Sequence, residues 1–466
     1  MSALAATTST VRAASRTASR EHGLKIVQAF AIVLFVIPSN FVIRPIGAIA
    51  YPAGLIGMFA MLVWIAAILL RQHDTRLTRH PIRGVLAMFW VVTLASYVLS
   101  NRGLLDPTQS LAADRWVMQL AVMTGVAFLA AECLNSLGDI RRVLRVLSWA
   151  SAFCGFVALL QWRTSLNLEP YLGRIPGLTD DGVQTLTTRD GLNRVAGTGI
   201  HPIELGVTAA MLLPMAIWAA QHTDVRSKAR RWAPVLLAAV SVPASVARSG
   251  AIAVLCAFGM FLVLMPARQR VTAFMLVPIA LVAIFATSHG ELGAIAGAFT
   301  GASADTSVTH RTDNYPYVEH LVSQAPWLGT GGGTYEPGTG IHILDNQYLT
   351  TAIELGLIGV GALVCFFLAP MLIALTARKK SHDPSLRLLC AALAGAALAG
   401  GVCSAFFDSF SFPLFYNVYA IVLGMIGACW RLAKRQEREG RTTENRFGLV
   451  SPPRDFLMVR TRHFVA

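Results

Sequence analysis

The side chains best suited to chemistry fall mostly in one stretch, 289–361, where a long polar loop holding HRTDNYPYVEHL and PWLGTGGGTY runs into the apolar span LDNQYLTTAIELGLIGVGAL. Asp345 and His342 stand where the loop meets that span. One is a carboxylate and the other an imidazole, about a helical turn apart, and both types can accept a proton. His201 and Glu204 form a second such couple at the start of an earlier apolar run. Three arginines offer fixed positive charge: Arg194 in a polar segment, Arg311 in the large loop, and Arg248 between two apolar runs. Arginine stays protonated, and its planar fork grips phosphate oxygens in pairs. Each of these residues also has a plainer reading. Arg248 can snorkel to an interface or pair with Glu204; Arg311 can make a salt bridge within its loop, and Arg194 can hold its own loop in shape. Asp345 suits the N-cap of the following helix, and His201 and Glu204 suit simple helix-start packing.

What must position these groups is a membrane bundle. The chain is 55% hydrophobic and 14% charged, with a mean hydropathy of +0.56, far from the roughly 25% charged residues of a soluble domain. Apolar runs long enough to cross about 30 Å of hydrocarbon lie near 24–43, 45–70, 82–100, 115–134, 143–162, 203–220, 232–247, 249–266, 271–288, 346–377, 385–404 and 412–431. The expected fold is therefore all-α, a polytopic bundle of about 12 transmembrane helices. With the N-terminus in the cytoplasm, RQHDTRLTRHPIR, DIRRVLR, DVRSKARR, PARQR, ARKKSHDPSLR and RLAKRQEREGR all fall on the cytoplasmic side. The net charge of +14 is then mostly topological, and no nucleic-acid partner is called for.

The organisation follows from the same pattern. Residues 1–23 read as a basic cytoplasmic tail in preference to a transit peptide, 24–432 as the transmembrane catalytic domain, and 433–466 as a cytoplasmic tail that is partly disordered. Two outer loops, about 163–202 and 289–345, are too long for simple connectors. The second is expected to hold a short helix over 313–324, with an Asp cap and an early proline. The seven cysteines form no CxxC pair and read as small packing residues rather than disulfide partners or metal ligands. AALAGAALAGG at 391–401 and Gly356, Gly359 and Gly361 read as close helix packing. The glycine run at 329–333 lacks the GK[ST] ending of a phosphate loop and reads as a flexible turn that lets the loop fold over a substrate. Asp180 and Asp181 read as a solvent turn in preference to metal-binding carboxylates.

Three segments in this order carry a family resemblance: NRVAGTGIHPIELG at 193–206, VARSGAIAVL at 246–255, and HRTDNYPYVEHLVSQAPWLGTGGGTY followed by DNQYLTTAIELGLIG. Over about 195–365 the chain resembles the O-antigen ligase and polysaccharide polymerase superfamily. There an Arg-x-x-Gly-Thr segment precedes one helix, a Ser-Arg-Ser-like turn separates two more, and an Arg opens the large outer loop. That loop closes with a Pro-x-x-Gly-x-Gly turn and a His-Asn-x-Tyr-Leu segment. The chain departs from the pattern in two places. Asp345 stands where ligases of lipopolysaccharide carry His, and Ala247 replaces the Ser before Arg248. The Asp tilts the reading toward polymerase.

The resemblance implies an inverting glycosyltransferase of the inner or plasma membrane, multi-pass with both termini cytoplasmic and its active site on the outer face. The donor is a polyprenyl-pyrophosphate-linked oligosaccharide, and the acceptor is a glycan hydroxyl. It implies that Arg248, Arg311 and Arg194 hold the pyrophosphate, that the base is Asp345, His342, His201 or Glu204, and that no cofactor or metal is required. Tyr315, Trp327, Tyr335 and Tyr348 either stack on sugars or anchor an interface. Membrane lipid surrounds the bundle, and a flippase or chain-length regulator is an implied partner. The near alternative is a ligase that transfers finished glycan to a lipid or protein acceptor. The alternative from another class, a secondary transporter or flippase, normally shows matching halves and broken helices at mid-membrane, and no matching halves are evident. HExxH and GxSG are absent, which disfavours intramembrane proteolysis.

Overall fold

The computed structural model describes residues 21–43, 50–73, 75–100, 106–164, 171, 173–180, 187–189, 192–271, 314–335 and 342–446. Helix α1 covers 21–36, and a short strand β1 (Phe41–Ile43) follows it. Next come α2 (Pro52–Leu69), α3 (Ile82–Ser100), α4 (Pro107–Cys133) and α5 (Leu137–Thr164). After three short strands, β2 (Leu178–Asp180), β3 (Thr187–Arg189) and β4 (Leu192–Arg194), come α6 (Pro202–Gln221), α7 (Lys228–Ala244) and α8 (Arg248–Leu264). The remainder is α9 (Tyr315–Gln324), α10 (Gln347–Glu354), α11 (Gly356–Lys380), α12 (Pro384–Cys403) and α13 (Pro413–Arg446).

Among the described residues, eight helices are long and apolar enough to span a membrane: α2 to α6 and α11 to α13. The expectation of about 12 spans is thus met only in part. Helices α7 and α8 have 17 residues each, the apolar run at 24–43 ends as helix at 36 and turns into β1, and 271–288 lies outside the described residues. The run at 346–377 is two helices. Gly356 sits between them at φ +68, a left-handed conformation that costs a side-chain-bearing residue roughly 1–2 kcal/mol. The tail expected from 433 onward begins as helix, because α13 continues to Arg446.

Proline at the first turn starts α2, α4, α6 and α12, where its missing N–H costs nothing and its fixed φ is already helical. Helix α13 is buried along most of its span and packs on α4, α11, α12 and α6. Helix α2 is largely exposed, as a lipid-facing helix would be. Small residues permit the closest contacts. A Cβ on Gly395 of α12 would come within 2.3 Å of the Ala257 carbonyl oxygen of α8, so these two backbones touch directly.

Two strand pairs organise the described part of the segment between α5 and α6. Strand β1 pairs antiparallel with β2, and β3 with β4. Asp180 belongs to β2 and accepts a hydrogen bond from Asn40 Nδ2 at 3.0 Å, so it pairs a strand rather than forming a solvent turn. Asp181 lies outside the described residues.

Helices α3, α4 and α13 run between two cavities. One end carries Ser96, Trp116 and Tyr416, near the glycine run. At the other end a buried carboxylate, Glu132, accepts from Trp64 Nε1 at 2.9 Å and from Arg83 Nε at 2.9 Å, and it also bonds His73. Arg431 of α13 donates to the last carbonyls of α4, Ala131 at 2.6 Å and Glu132 at 3.1 Å. These bonds satisfy carbonyls that a helix end leaves open.

Candidate active site at the glycine-turn end

A cavity of about 400 Å3 opens where α4, α10 and the start of α13 meet. Helix α4 supplies Arg115, Trp116 and Gln119, and α10 supplies Gln347, Thr350 and Glu354. Gly333 and Tyr335 come from the glycine run, and Asp408, Phe410 and Tyr416 from the segment that leads into α13. Gln347 holds the wall together: its Oε1 accepts from Phe410 N at 2.6 Å, and its own N–H donates to the Ser404 carbonyl at 2.8 Å. Gln119 Nε2 donates to the Phe410 carbonyl at 2.7 Å.

The glycine run is pinned, contrary to the flexible turn expected from its composition. Thr330 N donates to the Ile353 carbonyl at 3.1 Å and Gly331 N to the Glu354 carbonyl at 2.8 Å. A Cβ on Gly329, at φ +66, would lie 2.3 Å from the Glu354 carbonyl carbon. Leu357 N donates to the Pro326 carbonyl at 2.8 Å. The glycines serve close backbone approach, which locks the end of the large loop onto the break between α10 and α11.

Carboxylates dominate the cavity's electrostatics. Glu354 is buried, and burial raises its pKa to about 8; the charge of Asp408 adds to this, while N–H donation from Gly333 and Tyr335 opposes it. Tyr335 N lies 3.3 Å from Glu354 Oε1. Burial likewise raises Asp408 to about 6, helped by the charge of Asp345 and opposed by the Ser411 hydroxyl. Three acids thus interact in sequence, Asp345 with Asp408 and Asp408 with Glu354. Near neutral pH the two raised groups hold or release a proton readily, which is what general acid–base chemistry requires.

The residues singled out from the sequence separate into distinct places. Asp345 precedes α10 but does not cap it. Asn346 does, accepting from Tyr348 N at 2.9 Å and Leu349 N at 3.4 Å, so capping does not account for Asp345. His342 stacks on Tyr317 at 4.0 Å, and its Nδ1 is 2.9 Å from Asn314 Oδ1. Since Asn314 Nδ2 donates to the Ile343 carbonyl, Nδ1 carries the proton and Nε2 keeps the basic lone pair. Asn314 stands at the N-cap position of α9, and Asp313, the expected cap, lies outside the described residues.

His201 and Glu204 do not form the polar pair envisaged. His201 Nδ1 caps α6 by accepting from Ile203 N at 3.2 Å. Burial and then the Arg194 charge lower its pKa to about 4, which leaves it a poor proton acceptor at neutral pH. Glu204 is fully buried and accepts from Ile200 N at 2.9 Å, Leu414 N at 2.5 Å and Phe415 N at 3.3 Å. It caps α13 at the end where that helix leaves N–H groups open, and holds α6 against it.

Arg248 is the first residue of α8. The carbonyl of its neighbour Ser249 accepts from Cys403 Sγ at 3.5 Å, which puts this turn beside the 403–410 segment that walls the cavity. Arg194 ends β4 close enough to His201 to depress it electrostatically. Arg311 lies outside the described residues. Of the four aromatic candidates only Tyr335 lines the cavity. Tyr315 and Trp327 are exposed. Tyr348 donates to the Gly401 carbonyl at 2.8 Å and borders an apolar groove of about 170 Å3 between α11 and α12.

Sequence reasoning missed Glu354, Asp408, Arg115 and Trp116. A signal existed for Glu354, a carboxylate inside an apolar run, which is costly in a membrane and so marks function or a partner. For the others no local pattern points to the cavity.

Fold and site together define a multi-pass membrane protein with an acidic, partly enclosed cavity at one end of its helices. Residues 233–364 match the family model described as O-antigen ligase, the superfamily to which the sequence motifs point. The matched stretch includes the glycine run and α10 but not α4 or the 404–416 segment, which supply the rest of the cavity wall. No curated protein matches the chain.

Proposed function

We propose that this protein is a membrane glycosyltransferase that polymerises lipid-linked oligosaccharide into a surface polysaccharide, with inversion at the anomeric carbon. The acceptor hydroxyl attacks that carbon, the bond to the pyrophosphate oxygen breaks, and the diphosphate leaves on its polyprenyl carrier. Arg248, Arg311 and Arg194 neutralise the departing diphosphate, joined by Arg115 from the cavity wall. The hydroxyl proton passes to Asp345, with His342 as the neighbouring acceptor, and Asp408 and Glu354 can relay it. Tyr335 and Trp116 offer ring faces to a sugar. The groove beside Tyr348 suits part of an isoprenoid tail. No metal is needed where arginines supply the charge.

The observation that carries this reading is the cavity that gathers Glu354 and Asp408, whose carboxyls burial raises toward neutral pH, with Asp345 in electrostatic contact with Asp408. The family match over 233–364 supports glycan transfer in the membrane. The choice of polymerase over ligase rests on Asp345 standing in place of the ligase histidine. By the positive-inside argument the cavity faces outward and both termini lie in the cytoplasm, where a flippase and a chain-length regulator would meet the bundle.

The test is reconstitution in proteoliposomes with a polyprenyl-pyrophosphate oligosaccharide and electrophoresis of the products. Arg248→Ala and Arg311→Ala should each abolish the polymer ladder, and full ladders from both would refute the assigned roles. A deletion strain that accumulates single repeats indicates a polymerase, whereas long unattached lipid-linked chains indicate a ligase. Substrate accumulating in the vesicle lumen with no new glycosidic bond would instead make it a transporter.

A further inference from the structure

The end of the bundle opposite the acidic cavity holds a second and larger cavity, of about 1090 Å3, between the α2–α3 connection and the last turns of α13. Seven basic side chains line it and, among the described residues, no carboxylate does. Arg83 and Arg431 are committed to structure. Arg83 Nη1 donates to the Thr75 carbonyl at 2.7 Å and its other nitrogens bond Glu132 and Thr78, while Arg431 closes the end of α4. Arg79, Lys434 and Arg435 make no hydrogen bond or ion pair among the described residues. On α13 the spacing of Arg431, Lys434, Arg435 and Arg438 places all four on one face. Like charges one turn apart disfavour the helix. The positive-inside rule accounts for basic residues near helix ends but does not require them to converge on one cavity.

The walls are not polar throughout. Leu77, Ala87 and Trp430 also line the cavity. Leu77 is exposed, as are Leu69 and Leu70 at the adjoining end of α2, which gives an apolar approach beside the cluster of cations. A soluble anion has no use for such a surface; an acyl chain does.

We propose that this cavity binds a phosphate-bearing anion, and that its source is the headgroup of an anionic phospholipid in the leaflet opposite the acidic cavity. Arg79, Lys434 and Arg435 hold the phosphodiester, and the acyl chains lie along Leu77 and the end of α2. Clusters of basic residues between membrane helices bind such headgroups by charge and hydrogen bonding together. The site is independent of the transfer reaction, so its failure leaves the proposed function standing, and the converse also holds.

The experiment uses the full chain purified in a non-ionic detergent, with dioleoylphosphatidylglycerol, dioleoylphosphatidylcholine or inorganic phosphate as probe. The readouts are lipid retention by native mass spectrometry and the shift in unfolding temperature. Phosphatidylglycerol should bind saturably and raise the unfolding temperature, and phosphatidylcholine should not. Each basic side chain near a phosphate layer contributes about fivefold in affinity. The triple variant Arg79→Gln, Lys434→Gln, Arg435→Gln should therefore weaken binding on the order of a hundredfold, and the corresponding Arg→Lys changes at 79 and 435 should retain most of it. If the triple variant does not fold, the single variants carry the test at about fivefold each. Equal binding of the two lipids, or glutamine variants that bind as well as the parent, overturns the proposal. An equal, variant-sensitive shift with inorganic phosphate alone overturns the lipid source.

Discussion

Replacing Glu354 with Gln tests the electrostatic account of the acidic cavity. The amide keeps an oxygen at the position that accepts from Tyr335 N and changes little in volume, so the substitution removes chiefly the charge. Burial raises this carboxyl from 4.5 to about 8. A group whose pKa is higher in the folded state stabilises the fold below its unfolded value, and that contribution is lost as pH rises through the folded value. At about 1.4 kcal/mol per pH unit, the loss between 4.5 and about 8 is on the order of 5 kcal/mol, part of it shared with Asp408. The parent protein should therefore lose apparent unfolding temperature steadily from about pH 5 to pH 8.5. Glu354→Gln should flatten that decline and exceed the parent's stability at the alkaline end. The assay is a dye-monitored thermal melt in detergent at fixed ionic strength and scan rate, since such unfolding is commonly irreversible. Identical pH profiles for parent and variant would show that Glu354 does not titrate in this window. The proton-relay argument would then lose its basis.

Three further outcomes follow from the same geometry. Gly329→Ala forces a Cβ against the Glu354 carbonyl carbon at φ +66; it should destabilise by at least about 1–2 kcal/mol and reduce transfer, read by melt and by ladder. Asp345→Asn should lower transfer by roughly 10²- to 10⁴-fold with little change in stability, whereas Asn346→Ala should cost about 1 kcal/mol of stability through loss of the α10 cap. The two are told apart by running both assays on both variants. Arg83→Ala leaves the buried carboxylate of Glu132 without its principal cation and should destabilise by about 3–5 kcal/mol, measurable as a lowered unfolding temperature; a variant as stable as the parent would mean that His73 and Trp64 suffice.

The membrane bundle was legible from the residue order because a span announces itself within about 20 consecutive residues. Arg248 at a helix start, a helix near 313–324 and the meeting of the large loop with an apolar helix were readable for the same local reason. The break at Gly356 was not, since the run on both sides is apolar and the distinguishing fact is a backbone angle. The glycine run misled because glycine permits both flexibility and close approach, and the choice between them depends on Ile353 and Glu354 lying against it. Glu204 misled similarly: besides the nearby Ile200 N, its partners are backbone groups at Leu414 and Phe415, 210 and 211 positions away.

Composition and hydropathy settle the membrane solvent and the helical character of the chain, which depend on neighbours in the chain. Folding settles which acids share a cavity and which cap helices. Whether Asp408 and Glu354 hold protons is a matter of burial and of mutual charge, and both come from packing α4, α10 and α13 together. A carboxyl's solvent and its nearest charges are properties of a place in space, and residue order does not state that place.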